Sequence, residues 1–166
     1  TQKENRRQEN LHNKKDNVKE ARLYEKIGAG NVKCFLCAHY CTISPGKRGI
    51  CAVRENRDGT LYSLVYGKVI ARHVDPIEKK PLFHFHPGST SFSISTVGCN
   101  FKCMHCQNYD ISQYPKQHPD IPGDEMTPER VVREAELAEC KSISYTYTEP
   151  TIFFEFAYDC AKLAHE

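Results

Sequence analysis

The sequence predicts an α/β fold in which a small cysteine-rich subdomain precedes parallel strands alternating with helices. Three observations carry that expectation. Seven of the nine cysteines in this chain of 166 residues fall into two tight groups, Cys34, Cys37, Cys41 and Cys51, then Cys99, Cys103 and Cys106. Two strand-forming runs stand close together in the first half, as in a hairpin. In the second half, strand-like and helix-like patterns alternate with crossovers of a length that suits parallel pairing.

Taken in order, residues 1–16 are polar and charged, with Leu11 the only large aliphatic side chain, so a flexible tail is expected. From Asn17 to Ile27, Val18, Ala21, Tyr24 and Ile27 recur every three residues and Gly28-Ala29-Gly30 follows, which predicts a short helix and its stop. Residues 34–51 form a cysteine-bearing knuckle with turns at Pro45-Gly46 and Gly49. Leu61–Tyr66 and Val69–Val74, separated by Gly67-Lys68, predict a hairpin, and Asp75–Pro87 crosses over. Ser91–Val97 alternates like a strand, and Pro115–Gly123 reads as a proline-rich connector. Thr127 caps a helix with Pro128 at its first position, and Val131, Ala135 and Ala138 mark its buried face. Ser142–Tyr147 predicts a second strand, and Ile152, Phe156, Cys160 and Leu163 share one face of a second helix. The expected organisation is a tail over 1–16, a helix plus cysteine-rich knuckle and β-hairpin subdomain over 17–90, and two β-α units over 91–166. A closed eight-unit barrel takes about 250 residues, so the chain reads as the N-terminal part of a longer, partial (β/α) barrel.

Bulk composition narrows the function. The formal net charge of +2 leaves no basic footprint for nucleic acid. The sequence has no apolar run long enough to span a bilayer, and Thr1-Gln2-Lys3-Glu4-Asn5-Arg6-Arg7 is unlike a signal peptide. An odd number of clustered cysteines argues for metal binding in a reducing cytoplasm rather than for a disulfide framework.

The densest chemistry lies in Val97-Gly98-Cys99-Asn100-Phe101-Lys102-Cys103-Met104-His105-Cys106-Gln107-Asn108, which sets three cysteines at C-x3-C-x2-C spacing after a strand. Three thiolates are one too few to close a metal site. A 4Fe-4S cube held by three of them keeps one iron open to a small molecule. The competing reading is a zinc site completed by a distant histidine, or buried thiols. Cys34, Cys37, Cys41 and Cys51 are a complete set of four, compatible with structural zinc or with an auxiliary iron-sulfur cluster. A staple there suits a subdomain of about 60 residues, which is marginal on its own core. His73, His84 and His86 read as a solvated strand face, and Cys140 and Cys160 as core.

The three-cysteine loop, its preceding strand and the Cys106-Gln107-Asn108 tail resemble the cluster loop of radical S-adenosylmethionine (SAM) enzymes. Within that superfamily the chain resembles proteins related to pyruvate formate-lyase activating enzyme, and more narrowly the AmmeMemoRadiSam-system radical SAM proteins. The supporting segments are Cys34-Phe35-Leu36-Cys37, Ser44–Cys51 and Asp75–Phe85. The resemblance implies a radical SAM barrel in which Cys99, Cys103 and Cys106 hold a 4Fe-4S cluster whose open iron chelates SAM. Reductive cleavage would release a 5'-deoxyadenosyl radical that abstracts hydrogen from substrate. His105 stands where the superfamily usually places an aromatic residue against adenine. Tyr147-Thr148-Glu149-Pro150 stands where it usually has a Gly-Gly-Glu-like turn, which makes Thr148 and Glu149 the expected holders of the SAM amino group. No catalytic residue is expected beyond the cluster ligands. The implied partners are SAM, an electron donor such as a flavodoxin or ferredoxin, a protein substrate as in glycyl-radical activation, and Memo-like and AmmeCR1-like companions. The rival reading is a non-enzymatic zinc-knuckle interaction module or an iron-sulfur electron carrier. An electron carrier would close its cluster with a nearby fourth cysteine, whereas the next one after Cys106 is Cys140.

Overall fold

The computed structural model describes residues 18–166, so the expected tail over 1–16 lies outside the described residues. The described residues build four small sheets and three α-helices. In the N-terminal half, β1 (Lys19–Glu20), β6 (Thr60–Ser63) and β5 (Arg54–Arg57) form one antiparallel sheet, while β2 (Tyr24–Lys26), β3 (Val32–Cys34) and β4 (Thr42–Ile43) form another. Ala21, Val32, Cys34, Ile43 and Leu61 are buried between them as a separate small core.

Two expectations for this half are corrected. The described part of the segment 17–27, residues 18–27, is not helical: β1 and β2 are separated by a bend at 22–23. Spacing by three arises because the chain turns a corner between two short strands. Gly28-Ala29-Gly30, all at positive φ, forms the turn of the β2–β3 hairpin, where Asn31 N–H donates to the Gly28 carbonyl at 2.9 Å. Non-local pairing outweighs the weak helical preference of this short segment. The predicted hairpin of 61–66 with 69–74 is also absent. Residues 60–63 instead pair with 54–57 across Asp58-Gly59, both at positive φ as a tight two-residue hairpin turn requires.

The sheet that carries the site has the order β11-β9-β8, from β8 (Ala71–Pro76), β9 (Thr90–Ser95) and β11 (Ser142–Tyr145). β9 and β11 are parallel, with Ser91 opposite Ser142 and Ile94 opposite Tyr145, as the two predicted β-α units require. β8 lies antiparallel on the other side of β9, so this sheet draws a strand from ahead of residue 90. The short pair β7 (Lys68–Val69) and β10 (Asp124–Glu125) sits beside it. Helix α1 is Tyr109–Gln117, α2 is Pro128–Leu137 and α3 is Phe154–Ala164. As predicted, Thr127 caps α2, its hydroxyl oxygen accepting the Arg130 N–H at 3.2 Å, and Val131 and Ala135 face inward. Phe92, Ile94, Met126, Val131, Ala135, Phe156 and Cys160 form the core between sheet and helices.

The expected connector over 115–123 begins too early, because α1 runs through Pro115 to Gln117. Proline has no N–H to give the carbonyl four residues back. That carbonyl, on Ile111, accepts the Gly98 N–H at 3.0 Å instead, so the break in the helix ladder ties α1 to the start of the cysteine loop.

Candidate functional site

The C-terminal end of β9 leads directly into the loop 96–108, and the C-terminal end of its parallel neighbour β11 leads into 146–149. In an open parallel sheet these strand ends form the natural crevice for a ligand. Within the loop, Gly98 has φ +97°, and an added Cβ there would lie 2.5 Å from Val53 Cγ1 and 3.2 Å from the Cys51 carbonyl oxygen. Only glycine lets the backbone pass this close with that torsion. The three-cysteine loop therefore rests on the last segment of the four-cysteine knuckle.

The three thiols differ in access: Cys99 is buried, Cys106 half-buried and Cys103 exposed. Cys99 Sγ accepts the Phe101 N–H at 3.4 Å, and Cys106 Sγ lies 3.6 Å from Ser112 Oγ on α1. The Phe101 carbonyl is held by Gln113 Nε2 at 3.1 Å and Lys116 Nζ at 3.3 Å, and the Asn100 carbonyl by His39 Nε2 at 2.8 Å. Partial burial lowers the Lys116 pKa, and negative charge at Cys99 would oppose that shift. An open cleft of about 440 Å³ lies beside Cys103 and Met104, walled by Lys102, Tyr109, Gln113 and Lys116. Among the described residues, no three His, Cys, Asp or Glu side chains are gathered closely enough to hold a single metal ion as they stand. In the three-cysteine loop the sulfurs are spread along an open stretch of chain, with Lys116 and the Phe101 N–H close by.

A second cleft, of about 500 Å³, opens at the strand ends between Lys79, Lys80, Pro81, Asn108, Thr146, Tyr147 and Thr148. Tyr147 has φ +64°, the left-handed region that a glycine would occupy freely and a tyrosine must be held in. Its carbonyl accepts from Asn108 Nδ2 at 2.9 Å, and its hydroxyl donates to Asp75 Oδ2 at 2.6 Å. Burial and the bond to Asp75 push the tyrosine up to about 12. Burial alone would raise Asp75, but hydrogen bonds from Lys79 at 2.8 Å, Lys80 at 2.7 Å and Tyr147 hold it well below the usual carboxylate range.

Of the expected SAM-contacting residues, Thr148 is buried with its hydroxyl donating to the Thr96 carbonyl at 3.0 Å and 2.9 Å from Ser95 Oγ. Glu149 caps the 3-10 turn Pro150–Phe153, its Oε1 accepting from the Thr151 hydroxyl at 2.6 Å. His105 sits exposed in the turn between Cys103 and Cys106. Sequence reasoning missed Asp75, Lys79, Lys80, Asn108 and Gln113 as site residues. Asp75-Pro76-Ile77-Glu78-Lys79-Lys80 had drawn notice only as a resemblance, and nothing in its pattern places it at the strand ends.

The four knuckle cysteines come together elsewhere. Cys34, Cys37, Cys41 and Cys51 line one cavity with Leu36, His39, Ile43 and Arg54. Burial pushes the Cys34 and Cys51 thiols up, while the charge of Arg54 draws both down. Arg54 is itself buried and pairs with buried Glu155 on α3, Nη2 to Oε2, at 2.5 Å.

Residues 93–166 match the radical SAM superfamily. The chain is 50% identical over 149 residues to the uncharacterized protein MJ0808 of Methanocaldococcus jannaschii, which covers 90% of this chain and 44% of that protein. It is 33% identical over 81 residues to the uncharacterized protein MJ0674 of the same organism, covering 48% of this chain and 19% of that one. The chain thus spans less than half the length of these relatives. No solved structure matches it.

Proposed function

We propose that the chain supplies the cluster-binding part of a radical SAM enzyme, with Cys99, Cys103 and Cys106 as ligands of a 4Fe-4S cluster and SAM seated between that loop and the strand ends. The observation that carries this reading is the loop itself: three thiols after the C-terminal end of β9, in a domain that matches the superfamily. When bound, the cluster and SAM supply an electron and a 5'-deoxyadenosyl radical for hydrogen abstraction.

The chain's own residues orient and shield. Gln113 and Lys116 fix the Phe101 carbonyl, which keeps the loop turned toward α1. Asn108 joins the loop to the Tyr147 carbonyl, setting the distance between the two ligand-facing segments. The Thr148 hydroxyl is already spent on Thr96, so its contribution toward SAM is the backbone that this bond fixes. Glu149 retains its second carboxylate oxygen for an amine, and His105 offers a planar ring at the loop tip. The cleft bordered by Lys79 and Lys80 is the entry for substrate, which on the resemblance to glycyl-radical activating enzymes is a protein segment. No helix among the described residues is long and apolar enough to cross a membrane. A reducing cytoplasm, a flavodoxin or ferredoxin donor, and Memo-like or AmmeCR1-like companions belong to the same proposal.

Anaerobic reconstitution of the full chain with iron and sulfide tests it. The expected product is a brown protein that carries a 4Fe-4S cluster, with Cys103→Ala losing it. A full complement of iron and sulfide in Cys103→Ala would overturn the ligand assignment.

A further inference from the structure

The knuckle cysteines present a second and chemically different site. Their cavity encloses about 20 Å³, room for one water-sized occupant, whereas the cleft beside Cys103 measures about 440 Å³. A small space ringed by four thiols suits a single ion better than a cube of four irons and four sulfides. The four cysteines come from a strand end (Cys34), the turn after it (Cys37), the residue just before the returning strand (Cys41) and a separate loop (Cys51), and all four line one cavity as a complete set for a structural zinc ion.

An independent observation comes from Arg54, which lines the same cavity. It is 1% exposed, and only its Nη2 is paired; Nε and Nη1 are buried with no acceptor. Two unpaired N–H donors on a buried guanidinium are costly. Thiolate sulfurs in the cavity would accept them, and a guanidinium offsets part of the net double negative charge of four thiolates around a divalent ion.

We propose that Cys34, Cys37, Cys41 and Cys51 bind one zinc ion, with Arg54 donating N–H hydrogen bonds to the bound thiolates. The thiols ring the cavity without standing at ligand distance, and deprotonation with ion entry draws them inward, each thiol releasing its proton to solvent. The site acts at a distance on the cysteine loop. Cys51 and Val53 form the floor under Gly98, and His39 holds the Asn100 carbonyl. Closing the knuckle on an ion therefore fixes the platform on which the three-cysteine loop rests.

The test uses the full chain carrying Cys99→Ala, Cys103→Ala and Cys106→Ala, so that its result is separable from the cluster assignment. Zinc, iron and acid-labile sulfide are measured on protein isolated anaerobically with both metals supplied, and cobalt is then exchanged in for spectroscopy. The expected result is one zinc per chain, no sulfide, and the charge-transfer and ligand-field bands of a tetrahedral cobalt tetrathiolate. Iron with matching sulfide, or no bound metal, overturns the proposal. Zinc affinity by chelator competition in an added Arg54→Lys variant, which keeps the cation but loses the forked donors, should fall about tenfold or more. Unchanged affinity would remove Arg54 from the site.

Discussion

Glu155→Gln is the sharpest probe of how the two halves of the chain are joined. Arg54 and Glu155 are 1% and 0% exposed, and they connect a strand of the cysteine-rich half to the first turn of α3. Glu155 Oε1 also accepts the Arg22 N–H at 3.0 Å, so the carboxylate serves two partners from the N-terminal half. Glutamine keeps the shape and removes the charge, leaving the guanidinium buried without a counter-ion. Breaking a buried pair from one side costs about 3–5 kcal/mol. At about 2–4 °C per kcal/mol for a chain of this size, the melting temperature should fall by about 6–20 °C. Thermal unfolding of the metal-stripped chain measures it, and amide exchange across 154–164 should rise in step. The double variant Arg54→Met with Glu155→Leu should recover most of the loss, because the desolvation cost disappears with the charges. A fall of under about 1 kcal/mol in Glu155→Gln would refute the reasoning and mean that water or another anion reaches Arg54.

Other outcomes follow from the same geometry. Gly98→Ala should cost about 1–3 kcal/mol through overpacking against Val53, with further strain from the positive φ, and urea denaturation should show the loss together with poorer iron retention. Asp75 is held below its unfolded value, so its stabilising contribution is full above about pH 4 and fades as the pH falls through the folded value. The melting-temperature gap between parent and Asp75→Asn should therefore hold from neutrality to about pH 4 and narrow below it, and a gap that stays constant below about pH 4 would contradict the assignment. In the metal-free chain, alkylation should reach exposed Cys103 first and Cys160 last, because Cys160 is fully buried and burial, with Asp159 nearby, pushes its thiol up to about 12.

How much of this was legible in the sequence depends on the range over which each signal acts. The parallel pair β9 and β11, the capped helix α2 and the cysteine groupings were readable, because period, capping chemistry and spacing are local properties of the chain. The helix expected over 17–27 failed because a spacing of three fits a helix face and also fits two short strands around a corner. Pairing with 60–63 and 32–34, far along the chain, decided between them. The hairpin at Asp58-Gly59 did carry a local signal, and the longer apolar runs downstream masked it. At the candidate site, the cysteines announced themselves, but Asp75, Asn108 and Arg54 did not. Each acts on a partner brought to it by the fold: Tyr147 for Asp75 and Asn108, Glu155 for Arg54.

Tyr147 shows how the two kinds of information combine. The sequence places a bulky residue where the resembling family has glycine, which by itself weakens the correspondence. The structure keeps the glycine-like torsion and holds it from both ends, through the Asn108 amide and the Asp75 carboxylate. The strand-end turn thus holds a torsion that glycine would adopt freely by anchoring a tyrosine side chain. Tyr147→Phe removes the anchor to Asp75 and leaves the strained torsion, whereas Tyr147→Gly removes the strain as well. If anchoring compensates strain, Tyr147→Phe should be the less stable of the two by thermal melting, even though it retains more of the parent side chain. The opposite order would show that ring packing against His73 and Lys80 holds the turn instead of the hydrogen bond.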